Sequence, residues 1–180
     1  MSEEVSGVSA RDEITQRVKA KALAYDRIGG CSQSVLLALQ EEFDIGGMES
    51  FKSATNLSGG LRQGGTCGAI LGALMGLGLV FGRERIEDIE KAYKAWDISS
   101  EVIDKFKEEL QKQFGFDKEL KSTLCPDIQE RVLGRSFDLR NERQAFYDAG
   151  GHSDTACPKV CSIAAQVAAE KILEIRSGRV

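Results

Sequence analysis

Five cysteines and one histidine are the residues of this 180-residue chain best suited to redox or metal chemistry. Cys31 follows Gly29-Gly30, Cys67 follows Gly64-Gly65-Thr66 and Cys157 precedes Pro158, so each stands where a helix is expected to begin. Cys125, also followed by a proline, is expected to open a short helical turn. A thiol at a helix N-terminus faces unpaired N–H groups and the positive end of the dipole. Both favour the thiolate and can bring its pKa from about 8.5 into the range of about 3.5–7.5. The four are therefore candidate nucleophiles or metal ligands. Glycines beside them (Gly30, Gly65, Gly68) would let backbone amides approach sulfur. Cys161 would lie inside the last helix and reads as a spare core residue.

The spacings also exclude chemistry. No C-x-x-C occurs, so neither a thioredoxin-type dithiol, nor a zinc ribbon, nor covalently attached haem is indicated. With His152 the only histidine, a two-histidine metal site is excluded as well. His152 reads as a loop residue in "GGHSD", with nearness to Cys157 as the argument for a role.

The elements that must position these residues are helical. Ile14, Val18, Ala22 and Tyr25 recur at helical steps, and "CSQSVLLALQEEF" makes a second helix ended by Gly46-Gly47. A short helix is expected around Glu49–Thr55. From Arg85 to Phe114 an apolar stripe of Ile86, Ile89, Tyr93, Trp96, Ile103, Phe106 and Leu110 predicts an amphipathic helix, with a break or recapping at Ser99-Ser100. The pattern from Gly115 to Ala156 is irregular. The loop within it, from Gly134, is long enough to be a lid or site wall. "CPKVCSIAAQVAAEKILEI" forms the last helix. The fold class expected is all-α: a compact helical bundle with a glycine-rich buried helix and a long irregular segment before the last helix. Residues 1–9 read as a flexible tail and 10–180 as a single helical domain.

Between Thr66 and Gly82 no residue is charged, yet this run of about seventeen residues is at the short end of what spans a bilayer, and no membrane span is expected. Gly68, Gly72 and Gly76 recur every four residues as one smooth ridge. Three glycines inside a helix cost together about 3 kcal/mol relative to alanine. Close approach of another helix or a bulky group must offset that. A homodimer is one expectation of such a face, since it could pack against its copy as well as internally.

A net charge of −4, with no block of basic residues, argues against nucleic acid as a partner. The acidic start "MSEEVSGVSARDEI" lacks the basic and apolar regions of a secretory signal, so a cytoplasmic protein is expected. In a reducing compartment five cysteines point to metal or redox chemistry rather than structural disulfides.

"GGCSQSVLLALQEEF", "GGTCGAILGALMGLGLVFGR", "FGFDKELKSTLCPDI" and "ACPKV" resemble the successive blocks of the C-GCAxxG-C-C family of redox-active proteins, named for four cysteines and a CGAxxG motif. The motif reads Cys67-Gly68-Ala69-Ile70-Leu71-Gly72. The resemblance implies that Cys31, Cys67, Cys125 and Cys157 are the family cysteines and that Cys161 is additional. A longer lead to Cys125 and a long segment from there to Cys157 depart from the pattern. A similar domain occurs in cytochromes of the split-Soret type, where an iron–sulfur cluster has been suspected.

Three functions follow. Cys31, Cys67, Cys125 and Cys157, with Gly68 beside them, could bind an iron–sulfur cluster for electron transfer with an unknown redox partner, as an oxidoreductase or electron carrier. Cys67 could instead attack in thiol–disulfide exchange, with no cofactor. Or the chain is a structural or ligand-binding helical protein with inert cysteines. Zinc is a weaker choice because short paired spacings are absent. The cluster is favoured, since an exchanger needs only two thiols and four stand at comparable positions.

Overall fold

The computed structural model describes residues 9–179. Among them are eight α-helices: α1 (Ala10–Asp26), α2 (Cys31–Phe43), α3 (Met48–Ser53), α4 (Gly68–Phe81), α5 (Ile89–Phe114), α6 (Cys125–Leu133), α7 (Arg143–Asp148) and α8 (Cys157–Arg176). Two 3-10 turns lie between α3 and α4. No strand occurs among the described residues, only an isolated antiparallel bridge between Thr66 and Leu124. The expected all-α fold is the fold observed. Of the expected tail, residues 1–8 lie outside the described residues, and Ser9 is the N-cap of α1, its hydroxyl accepting from Asp12 N.

The core is organised around α8, which touches α1, α2, α4 and α5. Alanines at 164, 165, 168 and 169 keep its surface thin enough for neighbours to approach on several sides, and Ile163, Val167 and Ile172 fill the gaps. Val18 and Ala22 of α1, Val35 and Leu39 of α2, Ile70 and Ala73 of α4, and Phe106 and Leu110 of α5 complete this core.

The glycine ridge of α4 lies along α2, from Cys31 to Leu39. A Cβ at Gly72 would fall on the carbonyl oxygen of Ser32, and one at Gly76 would lie 2.5 Å from Leu39 Cδ1. Side chains there would force the two helices apart, so their absence is what permits the contact. The ridge is thus occupied inside the molecule, not offered to a second copy.

The structure departs from the sequence reading in three places. α5 begins at Ile89 and runs unbroken through Ser99 and Ser100, whose hydroxyls bond back to the carbonyls of Ala95 and Trp96 instead of capping a new helix. The N-terminal part of its apolar stripe is not core: Tyr93 and Trp96 are 58% and 56% exposed, and the buried face runs instead through Ala92, Ile98, Val102 and Phe106. The irregular segment contains α6, which opens at Cys125 as expected but runs on to Leu133, and a second helix, α7, that was not expected. No helix of the described residues is long and apolar enough to cross a membrane.

Candidate functional site

Four of the cysteines occupy equivalent positions in four different helices. Cys31 is the first residue of α2, Cys67 the N-cap of α4, Cys125 the first residue of α6 and Cys157 the first of α8. Pro126 and Pro158 follow two of them at the position where a missing N–H costs nothing. Gly29 and Gly30, with φ of 104° and 95°, make the left-handed turn that lets α2 start directly after α1.

The four helix starts meet at one cavity of about 300 Å³, lined by Cys31, Cys67, Cys125 and Cys157 together with Cys161. Cys161 is fully buried, as expected of a core residue, but it also reaches this cavity, its thiol 3.9 Å from the carbonyl oxygen of Cys31. Gly68 makes room for sulfur: a Cβ there would lie 2.5 Å from Cys31 Sγ. The backbone holds the set in register. Cys67 N donates to Thr123 O and Cys125 N to Gly65 O, each at 2.8 Å, and Cys157 N donates to Gly151 O at 3.1 Å. Gly59 N approaches Cys31 Sγ at 3.4 Å. Gln129, buried, approaches Cys125 Sγ with Nε2 and accepts from Phe137 N with Oε1, which fastens the chain after α6 to the sulfur wall. The segment expected to be a lid or wall does line the cavity, through Leu139, Phe146, Tyr147 and His152.

Helix starts were expected to lower these thiols' pKa values, and burial reverses that. Burial pushes Cys31 up to about 11 and Cys125 up to about 12, and drives Cys67, Cys157 and Cys161 upward as well. At Cys67 the N–H groups of Ala69 and Ile70 pull the other way and are outweighed. Removing a thiolate from water costs more than one helix end returns. Without a cation in the cavity the five sulfurs are neutral thiols.

Among the described residues no three His, Cys, Asp or Glu side chains converge closely enough to hold a metal ion. A single zinc ion, with sulfurs about 2.3 Å from it, demands such convergence. A cluster of several irons spreads its thiolates more widely, one to each iron. The donor set fits a group of that kind: four soft sulfurs from separate helices around one cavity.

Sequence reasoning missed Asp26. It is 1% exposed, lines the cavity region, and neither carboxylate oxygen has a hydrogen-bond partner. Burial raises its pKa. Oδ2 lies 3.7 Å from Nδ1 of His152, and that nitrogen is 2.7 Å from the backbone oxygen of Asp26. A carbonyl can only accept, so Nδ1 carries the proton. The neighbouring carboxylate raises the pKa of His152. The signal was present: Thr15, Val18, Ala22 and Asp26 form the buried stripe of α1, and an acid on such a stripe is costly unless used.

The model of the family described as Putative redox-active protein (C_GCAxxG_C_C) matches residues 30–171. Neither the curated proteins nor the solved structures contain a match.

Proposed function

The chain belongs to the family described as Putative redox-active protein (C_GCAxxG_C_C), and on that premise we propose that Cys31, Cys67, Cys125 and Cys157 hold an iron–sulfur cluster through which the protein passes electrons. The observation that carries this reading is the meeting of four cysteine-bearing helix N-termini at one cavity. Such a cluster bound by four thiolates supplies a one-electron couple.

The residues contribute in three ways. The cysteines supply soft donors that burial keeps protonated until a cation takes the proton's place. The N-terminal ends of α2, α4, α6 and α8 bring partial positive charge to a site that carries net negative charge when thiolates and sulfide are present. Leu139 and Phe146 in the cavity lining limit water around the sulfurs, and the three backbone hydrogen bonds made by Cys67 N, Cys125 N and Cys157 N keep the helix ends from drifting.

Thiol–disulfide exchange by Cys67 is less well supported. Its thiol is buried and raised, the opposite of what an attacking thiol needs.

Anaerobically purified or reconstituted protein tests the reading by visible absorption with iron and acid-labile sulfide assays. Broad brown absorption with comparable iron and sulfide is expected. Protein that stays colourless and iron-free after reconstitution overturns it and returns attention to the thiols.

A further inference from the structure

Asp26 and His152 are left without a task by a site built from sulfur alone. A buried carboxylate with no hydrogen-bond partner is expensive, and replacement by a neutral residue would remove that cost. His152 stands beside this carboxylate, Nδ1 3.7 Å from Oδ2, and both residues line the cavity. Its Nδ1–H is committed to the Asp26 carbonyl, which leaves Nε2 to accept a proton, and the side chain is 18% exposed, enough for exchange with water. Neither residue hydrogen-bonds any of the four cysteines proposed as ligands. The arrangement is that of a histidine whose protonated form is oriented and stabilised by a carboxylate behind it.

Resting on the cluster reading, we infer that Asp26 and His152 are the proton-holding pair of this redox site, taking up one proton for each electron that enters. An external one-electron reductant supplies the electron to the sulfur site. A proton from water forms the N–H bond at His152 Nε2, and the resulting imidazolium faces the Asp26 carboxylate. On reoxidation the electron leaves to the acceptor and the proton returns to water. Net charge in the cavity is the same before and after, which a water-poor site favours.

The other ionisable groups around the pair are the thiols of Cys31 and Cys157 at the starts of α2 and α8, Cys161 within α8, Tyr147 of α7, and Arg62 and Arg143 at the cavity wall. Arg27, next to Asp26, is held in an exposed pair with Asp154. Burial keeps the thiols protonated. The histidine is therefore the group that changes charge near neutrality.

The test is a redox titration of reconstituted protein, with iron and sulfide quantified first, between about pH 6 and pH 9. For one electron and one proton the midpoint potential falls by up to about 59 mV per pH unit, the equivalent of a tenfold change in proton concentration. The wild-type protein is expected to show that slope over part of the range, His152→Gln to be flat, and Asp26→Asn to shift the sloping region to lower pH. An equal slope in His152→Gln and wild type overturns the inference. Because the chain has one histidine, NMR of its ring in metal-free protein gives a second readout. The Nδ1–H tautomer at high pH and a lower titration midpoint in Asp26→Asn are expected, and identical titrations overturn the pairing. Protein that binds no iron removes the cluster reading and the coupling with it, while the ring titration still decides whether the two residues act together.

Discussion

Thr66 and Leu124 pair across an isolated antiparallel bridge, and the residue after each is a cysteine of the cavity. Two hydrogen bonds of 2.8 Å flank the pair, Cys67 N to Thr123 O and Cys125 N to Gly65 O. Residues nearly sixty positions apart in sequence are thereby set side by side without a sheet, and the starts of α4 and α6 are fixed relative to each other.

Cys67→Ser and Cys125→Ser are each expected to lose most of the bound iron and sulfide, because each removes one of four donors from a rigid wall. Cys161→Ala is expected to retain both, since that thiol lies a turn inside α8. Metal and sulfide content per chain after identical reconstitution is the measurement; retention in Cys67→Ser would sink the assignment.

The glycine ridge predicts opposite effects of one substitution at two positions. Gly72→Ala drives a methyl group into the Ser32 carbonyl and should destabilise by about 1–3 kcal/mol. Gly78→Ala meets nothing within 4 Å in the same helix and should stabilise by about 0.4–1 kcal/mol. Urea denaturation of both variants checks the contrast.

Thiol reactivity follows from burial. With Cys31 raised from 9.0 to about 11, its thiolate fraction near neutral pH is roughly 100-fold below that of an unperturbed thiol. Alkylation of the metal-free folded protein by iodoacetamide should be slow at all five cysteines and become fast in denaturant. A single rapidly modified Cys67 would favour the exchange chemistry instead.

Stability should fall as pH rises through neutrality. His152 is raised from 6.5 chiefly by the neighbouring Asp26 carboxylate, so its stabilising contribution is complete below 6.5 and is lost as pH passes its folded value. Asp26 is raised by burial, so its contribution also declines upward from 3.8. Asp26→Asn removes the acid and weakens the histidine's shift. Melting temperatures at about pH 5.5 and about pH 8.5 should differ less in Asp26→Asn than in wild type.

Much of this was legible from periodicity and punctuation. Glycines before Cys31 and Cys67, and prolines after Cys125 and Cys157, mark helix starts through local backbone chemistry, which sequence records directly. The Tyr93 and Trp96 stripe misled because periodicity reports a shared face and not what covers it. The thiol pKa values misled for a related reason: the helix end is local, whereas burial is contributed by distant segments. Asp26 and His152 come together only because the turn after α7 returns to the end of α1, a contact no short-range pattern encodes.

The placement of Cys157 at the head of α8 has a consequence for how the protein is made. Synthesis proceeds from the N-terminus, and α8 is the helix against which α1, α2, α4 and α5 assemble. Until it emerges, Cys31, Cys67 and Cys125 belong to a nascent chain without its central helix, their sulfurs open to oxidants and stray metals. On the cluster reading proposed above, the fourth ligand is made last, so a four-cysteine site is complete only after residue 157 has been translated, and until then the thiols depend on the reducing state of their surroundings.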